Sequence, residues 1–201
     1  MKLVFGTTNA GKIEFIKRRV EGLGVEILCL NDVNAPKLHI EECGNSPLEN
    51  AKIKTLAYYD VLRVPLFSAD SGLYIDGLDN ARQPGINVRG EGDWMDDEQT
   101  IAHYSALAAE LGGKMKAQYK NAICLIDKDG VMHEYMGDDI ASEPFYLVEK
   151  PHTIRRKGFP LDSLSVDIAS GMYYDDLEDN SKYYMGMADG FAEFFKRVLG
   201  L

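Results

Sequence analysis

Cysteine is scarce in this sequence: only Cys29, Cys43 and Cys124 occur among 201 residues. Their number is odd and no two stand in a C-x-x-C spacing, which argues against a disulfide framework or a zinc site and for reduced thiols of a cytoplasmic protein. Long apolar runs are also missing. None approaches the roughly 20 residues of a membrane span, and the apolar start, broken at Gly6, is too short for a signal peptide. Positive charge is outnumbered, with 22 Lys and Arg against 32 Asp and Glu, a net charge of −10. That balance disfavours non-specific binding to DNA, RNA or anionic membrane. A small anionic substrate stays open, because a local basic site or a bound divalent cation reverses the field locally. Repeats and low-complexity linkers are absent. The remainder, 45% apolar and 27% charged, is the composition of a soluble globular protein. The length suits one domain with a sizeable core, or one large two-lobed unit over residues 1–201.

The chain is organised around its start. Leu3, Val4 and Phe5 read as a short buried strand bounded by Gly6. From Ile13 the apolar residues recur at Ile16, Val20 and Leu23, one face of a helix. Residues 6–12, Gly-Thr-Thr-Asn-Ala-Gly-Lys, are therefore a strand-to-helix turn whose backbone N–H groups and helix dipole face any anion placed above it. In this loop of Thr7, Thr8, Asn9, Ala10, Gly11 and Lys12, Thr7 and Asn9 add neutral donors and Lys12 a charge that can reach a phosphate. A Walker loop is excluded, since Ile13 stands where that motif requires Ser or Thr. The plain structural alternative is a helix capped by Thr8 or Asn9 with a solvated Lys12.

Further along, residues 25–30 read as the next strand, completing an α/β unit with a right-handed crossover if the strands are parallel. Ser46-x-x-Glu49 has capping-box spacing with Pro47 at the first helical position, and the helix continues through Leu48, Ala51, Leu56 and Val61. Glu41 and Glu42 lie in the preceding loop, and Lys54 on the helix can point back over it. Residues 64–69 read as a short strand that ends at Asp70, where ligands bind in α/β sheets. An amphipathic helix follows from Met95 to Leu111, with His103 beside its apolar face in a structural role. Residues 117–127 and 131–136 form a hairpin around Lys128-Asp129-Gly130, and residues 145–148 are another strand. This second half reads as a smaller antiparallel lobe. The last helix, residues 187–199, buries Phe191, Phe194, Phe195 and Val198.

Three blocks resemble the inosine triphosphate pyrophosphatase family (Ham1-like non-standard purine triphosphate pyrophosphatases): Thr7-x-Asn9-x-x-Lys12, Glu41-Glu42-x-Gly44 with Glu49-Asn50-Ala51-x-x-Lys54, and residues 70–76 with Pro84-Gly85 and Arg89. The resemblance implies a mixed twisted α/β sheet with flanking helices, in two lobes with a cleft between them. It also implies Mg²⁺-dependent hydrolysis of a nucleoside triphosphate to the monophosphate and pyrophosphate, and a homodimer. Asp70, Lys12 and Lys54 would be the catalytic residues, and Glu41 or Glu42 would hold Mg²⁺ with Asp70. Ser71, Arg89, Phe159 and Asp162 would join the first loop and Lys54 in binding substrate. A nucleotide-binding protein that has lost turnover is the alternative reading.

The later blocks depart from the family. Its Gly-Phe-Gly-[Tyr/Trp]-Asp motif stands here as Gly158-Phe159-Pro160-Leu161-Asp162, and Ala188-Asp189 fall where the family has His-Arg. An Asp cannot donate to a keto oxygen, so an altered base preference is expected, with Lys182 or Arg156 as candidate substitutes.

Overall fold

In the computed structural model, residues 1–90, 92, 94–177 and 185–201 are described, the side chains of 185–189 excepted. Along the chain run β1 (Lys2–Phe5), α1 (Ala10–Arg19), β2 (Glu26–Cys29), α2 (Pro47–Leu62), β3 (Leu66–Ile75), α3 (Asp97–Glu110), β4 (Lys114–Ile126), β5 (Met132–Tyr135), β6 (Phe145–Val148), β7 (Ser165–Asp167) and α4 (Met185–Leu199). The sheet has the order β2-β1-β3-β4-β6-β7, with β5 paired to β4. β1 lies parallel to β2 and β3, whereas β4 is antiparallel to β5 and β6, and β6 to β7. This is the mixed α/β sheet with flanking helices that the sequence implies. β7, with only three residues, carries too short a pattern to be read beforehand.

The chain divides into two compact units, one of Met1–Ser71, Lys120–Ala141 and Gly186–Leu201, the other of Gly72–Tyr119 and Ser142–Met185. The division corrects the expectation that the whole second half forms the antiparallel lobe: the β4–β5 hairpin end and α4 return to the first unit. Apolar demand explains the return. Phe5 stacks on Phe67 with ring centroids 4.4 Å apart, and Phe195 of α4 meets Phe67 edge-on at 5.1 Å. Phe194 and Phe195 are fully buried there, each worth about 1.5–3 kcal/mol of removed apolar surface. The second unit has its own core, in which Leu73, Ile75, Ile101, Tyr104, Phe145, Leu161 and Leu164 meet.

β3 differs from its expected length. It runs on through Asp70 to Ile75 because Leu73 and Ile75 are apolar and buried, so Asp70 lies within the strand. Gly72 allows this continuation: a Cβ there would stand 3.1 Å from the backbone of Gly85, which bridges to Leu73.

Candidate active site

The first loop is built by capping. Asn9 has extended backbone angles and its Oδ1 accepts from the N–H of Lys12 at 3.1 Å, making Asn9, not Thr8, the N-cap of α1. The Asn9 N–H in turn donates to Thr7 Oγ1 at 3.2 Å. The N–H groups of Ala10 and Gly11, in the first turn, have no intrahelical acceptor. No acidic residue occupies that turn, so the positive end of the dipole is left uncompensated by its own helix. Gly6 sits under the loop because a Cβ would come within 2.4 Å of Ser68 Oγ.

The second loop is held by α2. Ser46 Oγ accepts from the Glu49 N–H at 3.2 Å, as its spacing predicts, but the Glu49 carboxylate takes the N–H of Asn45 at 2.6 Å instead of returning to Ser46. Asn50, buried in α2, accepts the Gly44 N–H on its Oδ1 at 2.9 Å. Gly44 leaves no room for a side chain there: a Cβ would lie 2.6 Å from Glu49 Cβ and 2.7 Å from Asn50 Oδ1. Sequence reading assigned Asn50 no role. Its only signal was its place in the second block.

These two loops and β3 bring four charges together. Asp70 Oδ1 lies 3.3 Å from Lys12 Nζ and 3.1 Å from Lys54 Nζ, and Lys54 Nζ lies 2.8 Å from Glu42 Oε2. The Asp70 side chain is 13% exposed and that of Lys12 33%. Lys12 is thus ion-paired, not solvated. Burial alone would raise the Asp70 carboxyl, but the Lys12 and Lys54 ammoniums and the Ser71 N–H outweigh it, so it is held below the ordinary carboxylate value. Lys12 moves below the ordinary ammonium value because burial, reinforced by the like charge of Lys54, outweighs the attraction of Asp70 and Glu42. Of the two loop carboxylates, Glu42 joins the cluster and Glu41 stays exposed. Among the described residues no three His, Cys, Asp or Glu side chains gather as a metal cluster, so the set Glu41, Glu42 and Asp70 is not assembled as three ligands. Two hard carboxylates, Glu42 and Asp70, nevertheless face one cation, the Lys54 ammonium. That donor chemistry fits Mg²⁺, which binds through one or two carboxylates together with substrate phosphates.

The remaining sequence-predicted residues have other partners. Ser71 Oγ donates to Asn121 Oδ1 at 2.6 Å, and the Asn121 amide donates to Ile140 O at 2.7 Å. Arg89 donates to Asp97 Oδ1 at 2.5 Å and to Met95 O at 3.2 Å. Phe159 is 39% exposed, and the Asp162 N–H closes a turn on Phe159 O at 3.2 Å. Leu161, where the family has an aromatic residue, turns inward. The 3₁₀ turn Pro160–Leu164 directs it into the core with Leu164 and Tyr104, so its side chain supports packing rather than base contact. Arg156 pairs with Asp175. Lys182 and the side chains of Ala188 and Asp189 lie outside the described residues. His103 is exposed with its ring edge-on to Tyr104. A groove of ≈ 530 Å³ lined by Lys17, Val20, Glu26, Ile27, Leu28 and Asp32 holds none of the candidate residues. Among the described residues no helix is long and apolar enough to cross a membrane.

The Ham1 family model matches residues 3–142. The chain is 38% identical over 86 residues to the dITP/XTP pyrophosphatase of Aquifex aeolicus, covering 43% of this chain and 40% of that protein. It is 32% identical over 138 residues to that of Rhodopseudomonas palustris, covering 66% and 64%. The matched stretches therefore span less than two thirds of these relatives. A HAM1 protein from Coxiella burnetii shares the fold with a TM-score of 0.74 at 20% identity, over 100% of this chain and 98% of that one. Since the family model matches well over half of the chain, including both loops and the strand that build the charge cluster, the chain belongs to the Ham1 family.

Proposed function

We propose that this protein hydrolyses nucleoside triphosphates to the monophosphate and pyrophosphate, acting on non-standard purine nucleotides of the dITP and XTP type. The observation that carries the reading is the half-buried Asp70 carboxylate held between two ammoniums, Lys12 and Lys54, beside a helix N-terminus with no acid in its first turn. The names of the relatives point the same way.

Phosphoanhydride hydrolysis needs positioning and charge neutralisation more than covalent chemistry. Lys12, Lys54 and the first-turn N–H groups of α1 take the outer phosphate oxygens, drawing the two ammoniums off Asp70. Asp70, freed of those partners, orients or deprotonates the attacking water. Glu42 and Asp70 would hold Mg²⁺, which when bound supplies charge neutralisation at the phosphates and a lowered pKa for water. Phe159 offers a ring for the base and Asp162 a carboxylate. In sequence, Ala188 and Asp189 stand where the family has a His-Arg pair, so discrimination of dITP and XTP from ATP and GTP is weaker than in the family. A homodimer and a cytoplasmic location rest on the family resemblance and on the composition.

The test is pyrophosphate release from a panel of standard and non-standard nucleoside triphosphates, with and without Mg²⁺. Mg²⁺-dependent release, with ITP and XTP favoured only modestly over ATP, is expected. No release from any of them contradicts the assignment. A strong ITP preference contradicts only the altered base selectivity.

A further inference from the structure

The turn that carries Phe159 is fastened from one side by a single carboxylate. Asp97 opens α3, after an Asp96–Gln99 capping box. Its Oδ1 accepts from Arg89 Nη2 at 2.5 Å, and its Oδ2 accepts from the Gly158 N–H at 2.9 Å. Arg89 is itself fixed, since its Nη1 donates to Met95 O and its own carbonyl accepts from the Met95 N–H. The same carboxylate thus joins the segment before α3, the first turn of α3, and the residue immediately before Phe159. Gly158 has φ +84, a left-handed conformation that leaves the turn little intrinsic preference of its own. The ring that follows is 39% exposed, so packing alone does not fix it. Arg155 also reaches α3, through Glu98 at 2.9 Å, but exposed pairs of that kind contribute little.

We infer that Asp97 is a positioning residue, which sets where the Phe159 ring stands by holding the Gly158 N–H and is itself held by Arg89. The inference rests on the reading that Phe159 stacks on the base. It reassigns Arg89 from direct substrate binding to the support of this clamp. Asn in place of Asp97 keeps the volume but offers only one acceptor to two donors, so one side of the clamp must open.

The test measures KM and kcat for ITP and the inhibition constant of inorganic tripolyphosphate, which has no base, in wild type, Asp97→Asn, Phe159→Ala and the double variant. Misplacing a stacking ring should raise KM for ITP about tenfold in Asp97→Asn, with kcat and tripolyphosphate inhibition unchanged. In the Phe159→Ala background Asp97→Asn should add nothing, because the two act as one unit. Additive effects, or equal losses for ITP and tripolyphosphate, overturn the inference and leave Asp97 a structural residue. So does an unchanged KM in a folded Asp97→Asn protein. Wild type without turnover removes the proposed activity itself, and the inference with it.

Discussion

Asp70 and Lys12 carry opposite predictions because their environments shift them for different reasons. Replacing Asp70 with Asn removes the charge but little volume, and should lower kcat by about 10²-fold or more in a folded protein. A folded Asp70→Asn variant with wild-type kcat would contradict the role. The folded-state pKa of Asp70 is depressed, so its contribution to stability is fully present above the ordinary carboxyl value of about 3.9 and is lost as pH falls through the lower folded value. The stability gap between wild type and Asp70→Asn should therefore be widest near neutral pH and close in acid; denaturation midpoints across pH read it. Lys12 is depressed on the alkaline side. Because kcat/KM reports the free enzyme, its alkaline limb should fall below the ordinary lysine value of about 10.4. Lys12→Arg, which stays protonated, should move that limb upward, and an unmoved limb would assign it to another group. Lys12→Ala should raise KM for triphosphates by about 10-fold or more while affecting monophosphate affinity little.

At the scale of elements, the site depends on how loops are tied to helices. Asn50 has its Oδ1 on the Gly44 N–H, so Asn50→Ala leaves a part-buried donor without its partner and should cost about 1–3 kcal/mol in denaturant unfolding. It should also lower activity by releasing the loop that carries Glu42; full activity with lost stability would separate the loop from the chemistry. Leu161→Ala should cost about 2–5 kcal/mol with base selectivity unchanged, since the side chain lies in the core. A changed ITP-to-ATP ratio would instead assign Leu161 a part in base selection. Much of this level was legible in the sequence. The capping residues, the apolar spacing of α1 and the phenylalanine stripe of α4 are local signals, and local physics decides them. Asn50, Asn121 and Asp97 were not legible, because their partners lie on other segments: a polar side chain's spacing does not say which distant N–H it will meet. The partner of Asp97, the Gly158 N–H, lies 61 residues further along the chain.

For the molecule as a whole, net charge −10 and the proposed anionic substrate are reconciled at one point. Two lysines from separate helices converge on one strand, and the blocks that carry them stand 42 residues apart in sequence, at Lys12 and Lys54. The α/β class and the membership of the first blocks in one site were legible because each block joins a strand or loop to a helix start. The division of the chain was not, since the closing of the first core by α4 is a matter of which aromatic rings fill which space. The central claim is that water activated beside Asp70 attacks the α-phosphorus of a nucleoside triphosphate. Hydrolysis of ITP in water labelled with heavy oxygen, followed by mass analysis of both products, tests it directly. Label in the nucleoside monophosphate, with unlabelled pyrophosphate and loss of both products in Asp70→Asn, is the expected result. Release of orthophosphate with a nucleoside diphosphate, or label in the pyrophosphate, would contradict it.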